Sequence, residues 1–453
     1  MRYFWDGTTT IPSRATILEM HVDPKRQILP GEIPPNILEI YIERNPPDLR
    51  NDGVLPDNLV KLFLGPSRNY PLNKKMLPKS LTHLKIRGEY NYDLDINSFP
   101  DNLVILEIYA SNHVNIDKSV LPRTLRVLEI GYNNQIKNLS DILTDNLEVL
   151  ILEDVTDRIP DNTFPESLTS LTLGFNYNHD ITEHFLPKKL RTLKLGYSFN
   201  HPIMGYMFPP TLESLSLGGI YNHVFHKDSF PENLVNLRLS CHYDQELDGS
   251  IFPESLTGLS ISNQYTIKLT AQSIPKNLQV LSYNSGYASR VTSDIFPDSI
   301  RELYLGECYI HFCLPKNLQK LRIGYQNLAK STLPDQIEYL HLSVDELTPI
   351  SSADVDVAID INRLPLNLKY LRLDREVQLR AFNKYNSMLN FSIIFYYCHI
   401  AYPITCPILC PADRYIPEGL DIIGQEFIDG EKYYKIVNPK FYVPRSRAKS
   451  AKN

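Results

Sequence analysis

Residues 164–203 read FPESLTSLTLGFNYNHDITEHFLPKKLRTLKLGYSFNHPI, one unit written nearly twice. Pro165 is answered by Pro187, the leucines Leu168, Leu171 and Leu173 by Leu190, Leu193 and Leu195, and Gly174 by Gly196. Tyr177 is answered by Phe199, Asn178 by Asn200, His179 by His201 and Ile181 by Ile203, each pair 22 residues apart. A length of 453 residues would otherwise suggest about two or three globular domains, but repetition on this scale overrides that expectation.

The period extends in both directions. Its anchors are Pro12, Pro34, Pro56, Pro78, Pro100, Pro122, then Thr144 in a proline's place, then Pro165, Pro187, Pro209, Pro231, Pro253, Pro275 and Pro297. Every step is 22 residues except the step of 21 into Pro165. Less regular copies follow at Pro315, Pro334 and Pro365, after steps of 18, 19 and 31, making seventeen copies. Prolines placed this regularly punctuate structure; in a disordered linker they would cluster.

Six residues after the anchor stands Leu or Ile in all seventeen copies, from Leu18 to Leu371. With the apolar residue two positions later it alternates with the period of a short strand that turns one face inward. The pattern P-x-x-L-x-x-L-x-L therefore predicts one short strand per copy. Proline, with its fixed φ and missing N–H, suits the first residue of such a strand. The glycine that often follows the strand (Gly65, Gly131, Gly174, Gly196, Gly218, Gly306, Gly324) is expected to take positive φ where the chain turns. Rings twelve residues after the anchor, at Tyr90, Tyr177, Phe199, Tyr221, Tyr243, Tyr265, Tyr287 and Tyr309, fill the back, usually with an aliphatic residue four later such as Leu94, Ile181 or Ile203.

A single copy leaves both flanks of its strand and rings uncovered, so copies must stack and the ends need caps. The expected fold is a β-rich solenoid, a leucine-rich-repeat-like right-handed coil whose parallel sheet takes one short strand from each copy of 22 residues. Residues 1–10 form an N-terminal segment, 11–375 the solenoid, and 376–453 a C-terminal cap and basic tail. The stretch Phe391–Cys410 is apolar and long enough to cross a bilayer, which takes about 20 residues. Pro403, Pro407 and His399 argue instead for two β-rich pieces, Phe391–Ile400 and Pro403–Cys410, covering the last copy. Arg445, Arg447, Lys449 and Lys452 mark a solvated tail.

The segments Phe199-Asn200-His201-Pro202-Ile203, Tyr221-Asn222-His223, Tyr177-Asn178-His179-Asp180-Ile181, Tyr90-Asn91 and Asn69-Tyr70-Pro71-Leu72, set within P-x-x-L-x-x-L-x-L-G, resemble the FNIP repeat. That family is a divergent relative of leucine-rich repeats, abundant in social amoebae and giant DNA viruses. The resemblance spans roughly residues 11–374, although the copies at Pro100, Pro122 and Thr144 lack the ring at its usual place. It implies a leucine-rich-repeat-like coil with a binding role. Its Asn stands two positions later than the ladder Asn of ordinary leucine-rich repeats, so the curvature of the coil does not follow from theirs. Some family members join these repeats to an F-box and select proteins for ubiquitination; here the repeats begin near residue 11, which leaves no room for an F-box ahead of them. A protein-interaction scaffold is therefore the first expectation, with substrate recognition for a ubiquitin ligase as the alternative.

Other classes have little support. A net charge of -6 supplies no global attraction for nucleic acid or anionic lipid. No Gly-x-Ser-x-Gly, His-Glu-x-x-His, P-loop or Gly-x-Gly-x-x-Gly context occurs, so neither catalysis nor a cofactor is expected. The opening MRYFWDGTTTIPSR lacks the apolar core of a secretory signal. Cys241, Cys308, Cys313, Cys398, Cys406 and Cys410 follow no disulfide framework, so an intracellular setting, cytoplasmic before nuclear, is expected. Stacking would align His179, His201 and His223, a column that can bind zinc or sense pH, but no carboxylate or thiol stands at their height to complete a site. The neighbouring Asn178, Asn200 and Asn222 are expected to bond the backbone of adjacent copies. Cys398, Cys406 and Cys410, with His399, lack a paired C-x-x-C, so no metal is expected there either.

Residues five, seven and nine after each anchor project from the exposed side of the sheet. Most are small or charged, as at Ser170, Thr172, Thr192, Lys194 and Ser216. One stretch differs: Ile105, Tyr109, Val127, Val149 and Ile151 put apolar groups there, interleaved with Glu107, Glu129 and Glu153. An apolar patch rimmed by charge is the usual mark of an interface, so these eight residues are the expected contact surface for a protein partner of unknown identity. The insertion Glu346–Asn362, with Asp354, Asp356 and Asp360, is a second candidate, since loops inserted in repeat arrays often bind something.

Overall fold

Each copy starts with one hydrogen bond. In all seventeen, the N–H three residues past the anchor donates to the anchor's carbonyl at 3.0–3.3 Å, from Ala15 to Pro12 through Leu368 to Pro365. The anchor is thus the first residue of a tight turn, and the strand begins five residues after it. Proline suits the turn better than the strand head, because that position uses only its carbonyl and a missing N–H leaves no donor to satisfy.

The computed structural model describes residues 1–23, 25–42, 47–65, 71–88, 92, 94–110, 119–131, 139–153, 155–262, 264–283, 295–305, 314–324, 333–343 and 364–373, and the strands Ser392–Phe395, Ile408–Pro411, Asp421–Ile428 and Glu431–Val437. The chain forms two compact units, Met1–Leu234 and Val235–Asn453. In the first, β1 (Arg2–Trp5), β2 (Ile17–Met20), β3 (Glu39–Ile42), β4 (Lys61–Leu64), β5 (His83–Gly88), β6 (Ile105–Ala110), β7 (Val127–Gly131), β8 (Val149–Leu152), β9 (Ser170–Leu173), β10 (Thr192–Lys194) and β11 (Ser214–Ser216) pair in chain order, all parallel. The ladder therefore starts ahead of the first proline-anchored copy, with β1 and its buried Trp5.

The sixth-position residues face one another across this ladder, from Leu18 and Ile40 through Leu171 and Leu193 to Leu215, and none is more than 1% exposed. The 21-residue step changes nothing in this register, since Leu150 still faces Leu171. The missing residue is absorbed in the return, where Asn162 takes φ 59 and its N–H reaches the His184 carbonyl.

Gly174, Gly196 and Gly218 do not take positive φ; among the described glycines that conformation belongs to Gly7, Gly31, Gly53 and Gly88. The requirement is close approach. A Cβ on Gly196 would collide with the Gly174 carbonyl, and one on Gly218 with that of Gly196. Glycine here lets successive copies stack backbone on backbone.

A further set of ties sits two residues after the anchor. The hydroxyls of Ser80, Thr124, Ser167 and Thr211 donate to the carbonyls of Leu59, Leu103, Leu147 and Leu190 in the preceding copy, at 2.6–2.8 Å. Asn102, Asn146 and Asn233 use their side-chain amides in the same way. The back is filled by Tyr177, Phe199 and Tyr221, each at most 1% exposed, with Phe199 and Tyr221 stacked at 6.4 Å and 5°.

The second unit repeats this plan through β12 (Asn236–Arg238), β13 (Gly258–Ile261), β14 (Val280–Tyr283), β15 (Glu302–Leu305), β16 (Lys320–Gly324), β17 (Tyr339–Ser343) and β18 (Tyr370–Leu373). Tyr243 and Tyr265 fill its back and are fully buried. The steps of 18, 19 and 31 leave the strand register intact, Leu303 facing Leu321, then Leu340, then Leu371. The apolar run after them supplies two more parallel rungs, β19 (Ser392–Phe395) and β20 (Ile408–Pro411). β21 (Asp421–Ile428) and β22 (Glu431–Val437) then pair antiparallel, with β22 also antiparallel to β20, which changes the direction of the ladder.

Candidate partner-binding face

Strand register arranges the outward residues of the first unit in rows. In the fifth-position row His83, Ile105, Val127, Val149 and Ser170 are successive neighbours. In the seventh-position row Tyr41, Phe63, Lys85, Glu107, Glu129, Ile151 and Thr172 follow one another. Ile105, Val127, Val149 and Ile151 are half-buried, as are Glu107, Glu129 and Glu153. Seven of the eight residues singled out in the sequence therefore lie on β6 to β8, and Glu153 follows β8 directly. Tyr109 stands among them but is only 7% exposed.

Gly131 explains that burial. A Cβ there would meet the Tyr109 ring and the Glu153 carboxylate, so the missing side chain lets the ring lie across β7 and its hydroxyl donate to Glu129. Lys85 Nζ lies 4.7 Å from the centre of the Tyr109 ring and 5.4 Å from that of Phe63, and the Arg87 guanidinium lies 5.3 Å from Tyr109. Burial and the bond to Glu129 push the Tyr109 phenol above its ordinary range.

The three carboxylates differ. Glu107 is paired twice, with His83 Nε2 at 2.7 Å and with Lys85 Nζ. Burial pushes its carboxyl up, but the bonds to His83 and Lys85 outweigh burial and hold it below the usual range. Glu129 and Glu153 form no ion pair among the described residues. Burial, then the nearby Glu129 charge, pushes Glu153 up, and Lys85 and Arg87 only partly oppose this.

A second outward apolar pair, Tyr41 and Phe63 with ring centres 5.9 Å apart, stands on β3 and β4, separated from the patch by His83 and Lys85 on β5. Both stand seven residues after an anchor, so the rule that identified Glu107 and Ile151 would have identified them too. Beyond β8 the outward residues lose their apolar groups and become Ser170, Thr172, Thr192, Lys194, Ser214 and Ser216.

The family model of the FNIP repeat matches residues 50–89, 69–111, 90–133, 157–198, 199–242 and 243–286. The chain carries FNIP repeats. The matched stretches include β4 to β7 and β9, so most of the candidate face is built on FNIP copies. Among solved structures, that of CroV588, described as a circular LRR protein, is similar with a TM-score of 0.55 and 22% identity over 85% of this chain and 67% of its own. That likeness concerns the fold. No curated protein matches the chain.

In the FNIP copies the Asn and His ladders hold the stack together. Asn178 Oδ1 accepts the Asn200 N–H at 3.0 Å, and Asn200 Oδ1 accepts that of Asn222 at 3.2 Å. His179, His201 and His223 each bond through Nε2 to a carbonyl of the preceding copy, those of Thr156, Asn178 and Asn200, at 2.8–3.0 Å. These imidazoles are committed to the backbone, and among the described residues no group of three or more His, Cys, Asp or Glu could hold a metal. Among the described residues no helix is long and apolar enough to cross a membrane. The insertion Glu346–Asn362, the basic tail, Cys398, His399, Cys406, Asn69 and Asn91 lie outside the described residues.

Proposed function

We propose that this FNIP-repeat chain is a non-catalytic protein-interaction scaffold that binds a partner protein through the outward strand face, centred on Ile105, Glu107, Tyr109, Val127, Glu129, Val149, Ile151 and Glu153. The observation that carries this is the in-register row Ile105, Val127 and Val149, half-buried and edged by carboxylates, on a sheet whose next three strands show serine, threonine and Lys194 instead. Contiguous apolar surface of this kind marks interaction sites. Six cysteines scattered without a framework support an intracellular setting.

The test pairs Val127→Asp and Val149→Asp in one variant, with circular dichroism to verify the fold, and places a photo-activated cross-linking residue at Thr172, beside the patch. The expected result is a partner adduct from the wild-type background that disappears in the double variant. An adduct of undiminished yield would refute the assignment. Ubiquitin-ligase subunits among the adducts would point to substrate selection as the role of the scaffold.

A further inference from the structure

Strand formation and stacking account for the inward, turn and back positions of the first unit, but not for Glu129 and Glu153. Glu107 shows how this fold handles a carboxylate on the strand face, with the Lys85 ammonium and the His83 imidazole of β5 both bonded to it. Among the described residues Glu129 has only the Tyr109 hydroxyl. Glu153 approaches the same hydroxyl. The nearest cations are already engaged, Lys85 with Glu107 and both Lys85 and Arg87 with the Tyr109 ring. Two half-buried carboxylates beside each other that form no ion pair among the described residues, with Lys85 and Arg87 only partly offsetting the charge on Glu153, are costly, and an arriving cation would reduce that cost.

Their surroundings narrow the kind of cation. Val127 and Val149 flank Glu129 on one side of its strand and Ile151 stands directly across from it. A lysine or arginine has an aliphatic stem that lies along apolar surface while its head seeks a carboxylate. A free metal ion or small amine would leave the valines and isoleucines uncovered. The patch is also the size of a short peptide segment. β6 to β8 span two strand spacings, about 10 Å, which an extended chain crosses in about three residue steps of ~3.3 Å.

We propose that the face across β6 to β8 receives an extended segment of a partner protein in which a lysine or arginine is flanked by aliphatic residues. The cation rests between Glu129 and Glu153, and the aliphatic groups lie on Ile105, Val127, Val149 and Ile151. This rests on the strand-face reading above and adds the chemistry of the partner to it.

The probe is a phage-displayed library of random peptides selected on the immobilised full chain. Enriched peptides are then measured by fluorescence polarisation against the wild type, Glu129→Gln with Glu153→Gln, and Val127→Asp with Val149→Asp. The expected result is enrichment of lysine or arginine between aliphatic residues, with binding weakened about tenfold or more by the double Gln variant, as for a desolvated charge pair. Binding lost in the Asp variant but unchanged in the Gln variant would overturn the cation and leave the strand-face reading standing. Enriched peptides without a basic residue would do the same. No enrichment, or binding indifferent to both variants, would overturn both.

Discussion

Replacing Thr144 by proline should stabilise the first unit. Thr144 is the one anchor of seventeen that is not proline, yet its carbonyl accepts the Leu147 N–H at 3.2 Å like the others. Its own N–H makes no hydrogen bond among the described residues, so proline would remove nothing used. Its Oγ1 is buried without a partner. At Pro209 and Pro253 the residue before the anchor is extended, Phe208 at φ -104 and ψ 140 and Phe252 at φ -81 and ψ 144, as a following proline demands. Each of those anchors follows a single 3₁₀ turn, Gly205–Met207 or Gly249–Ile251, and Leu139–Asp141 forms such a turn ahead of Thr144. Restricting the unfolded chain contributes about 0.4–1 kcal/mol, and removing an unbonded buried hydroxyl about 1–3 kcal/mol. Thr144→Val isolates the second contribution. Stacked repeats can open locally, so amide hydrogen exchange at Leu147, Leu150 and Leu171 is the decisive measurement, with urea unfolding beside it. Slower exchange is expected in both variants, and slowest in the proline one. If Thr144→Val gains stability while Thr144→Pro loses it, the backbone at this anchor does not match its sixteen counterparts and the common-turn account fails there.

Two further perturbations test the stack itself. Gly196→Ala should destabilise by about 1–3 kcal/mol or more, because the new methyl meets the rigid Gly174 carbonyl; urea unfolding indistinguishable from wild type would show that neighbouring copies can separate without cost. Alkaline titration should weaken the fold between pH 10 and 12, because burial pushes Tyr177 up to about 12 from an ordinary value near 10. A folded-state value above the unfolded one means this stability is whole below pH 10 and is lost as pH rises through 12, on the order of 2 kcal/mol from this residue. Tyr177→Phe should flatten that limb in denaturant titrations across the range, and an unchanged slope would refute the assignment.

Much of this fold is legible in the sequence because the same demand recurs seventeen times. An inward leucine six residues after each anchor can be mistaken once, but not from Leu18 to Leu371. What repetition did not disclose was the cause behind each conserved type. Proline was compatible with a strand head and with a turn, and only the Ala15 to Pro12 bond and its sixteen counterparts distinguish them. Glycine was compatible with positive φ and with close approach, and the collision at Gly196 decides for the second. The small polar residue two after the anchor, at Ser80, Thr124 and Asn146, carries no mark in the sequence because its partner is a carbonyl one copy away. On the candidate face, spacing sets Lys85 beside Glu107, but not the reach of Lys85 over the Tyr109 ring, which depends on where long side chains settle.

The outward residues are where fold and function can be told apart. β5 and β6 have six residues and β7 five, whereas β10 and β11 have three. Valine, isoleucine and tyrosine favour strands, so one could explain Ile105, Val127, Val149 and Tyr109 as residues that merely lengthen them. Yet β9 to β11 form, in register, with Ser170, Thr172, Thr192, Lys194, Ser214 and Ser216 in the same positions, so the ladder does not need apolar outward groups. Strand propensity has still less to say for Glu129 and Glu153, because glutamate is depleted in strands and like charges close together oppose each other. Two carboxylates without an ion pair among the described residues, half-buried between valines and isoleucines that the sheet could do without, are what folding leaves unexplained, and a basic, aliphatic segment from another protein is what would complete them.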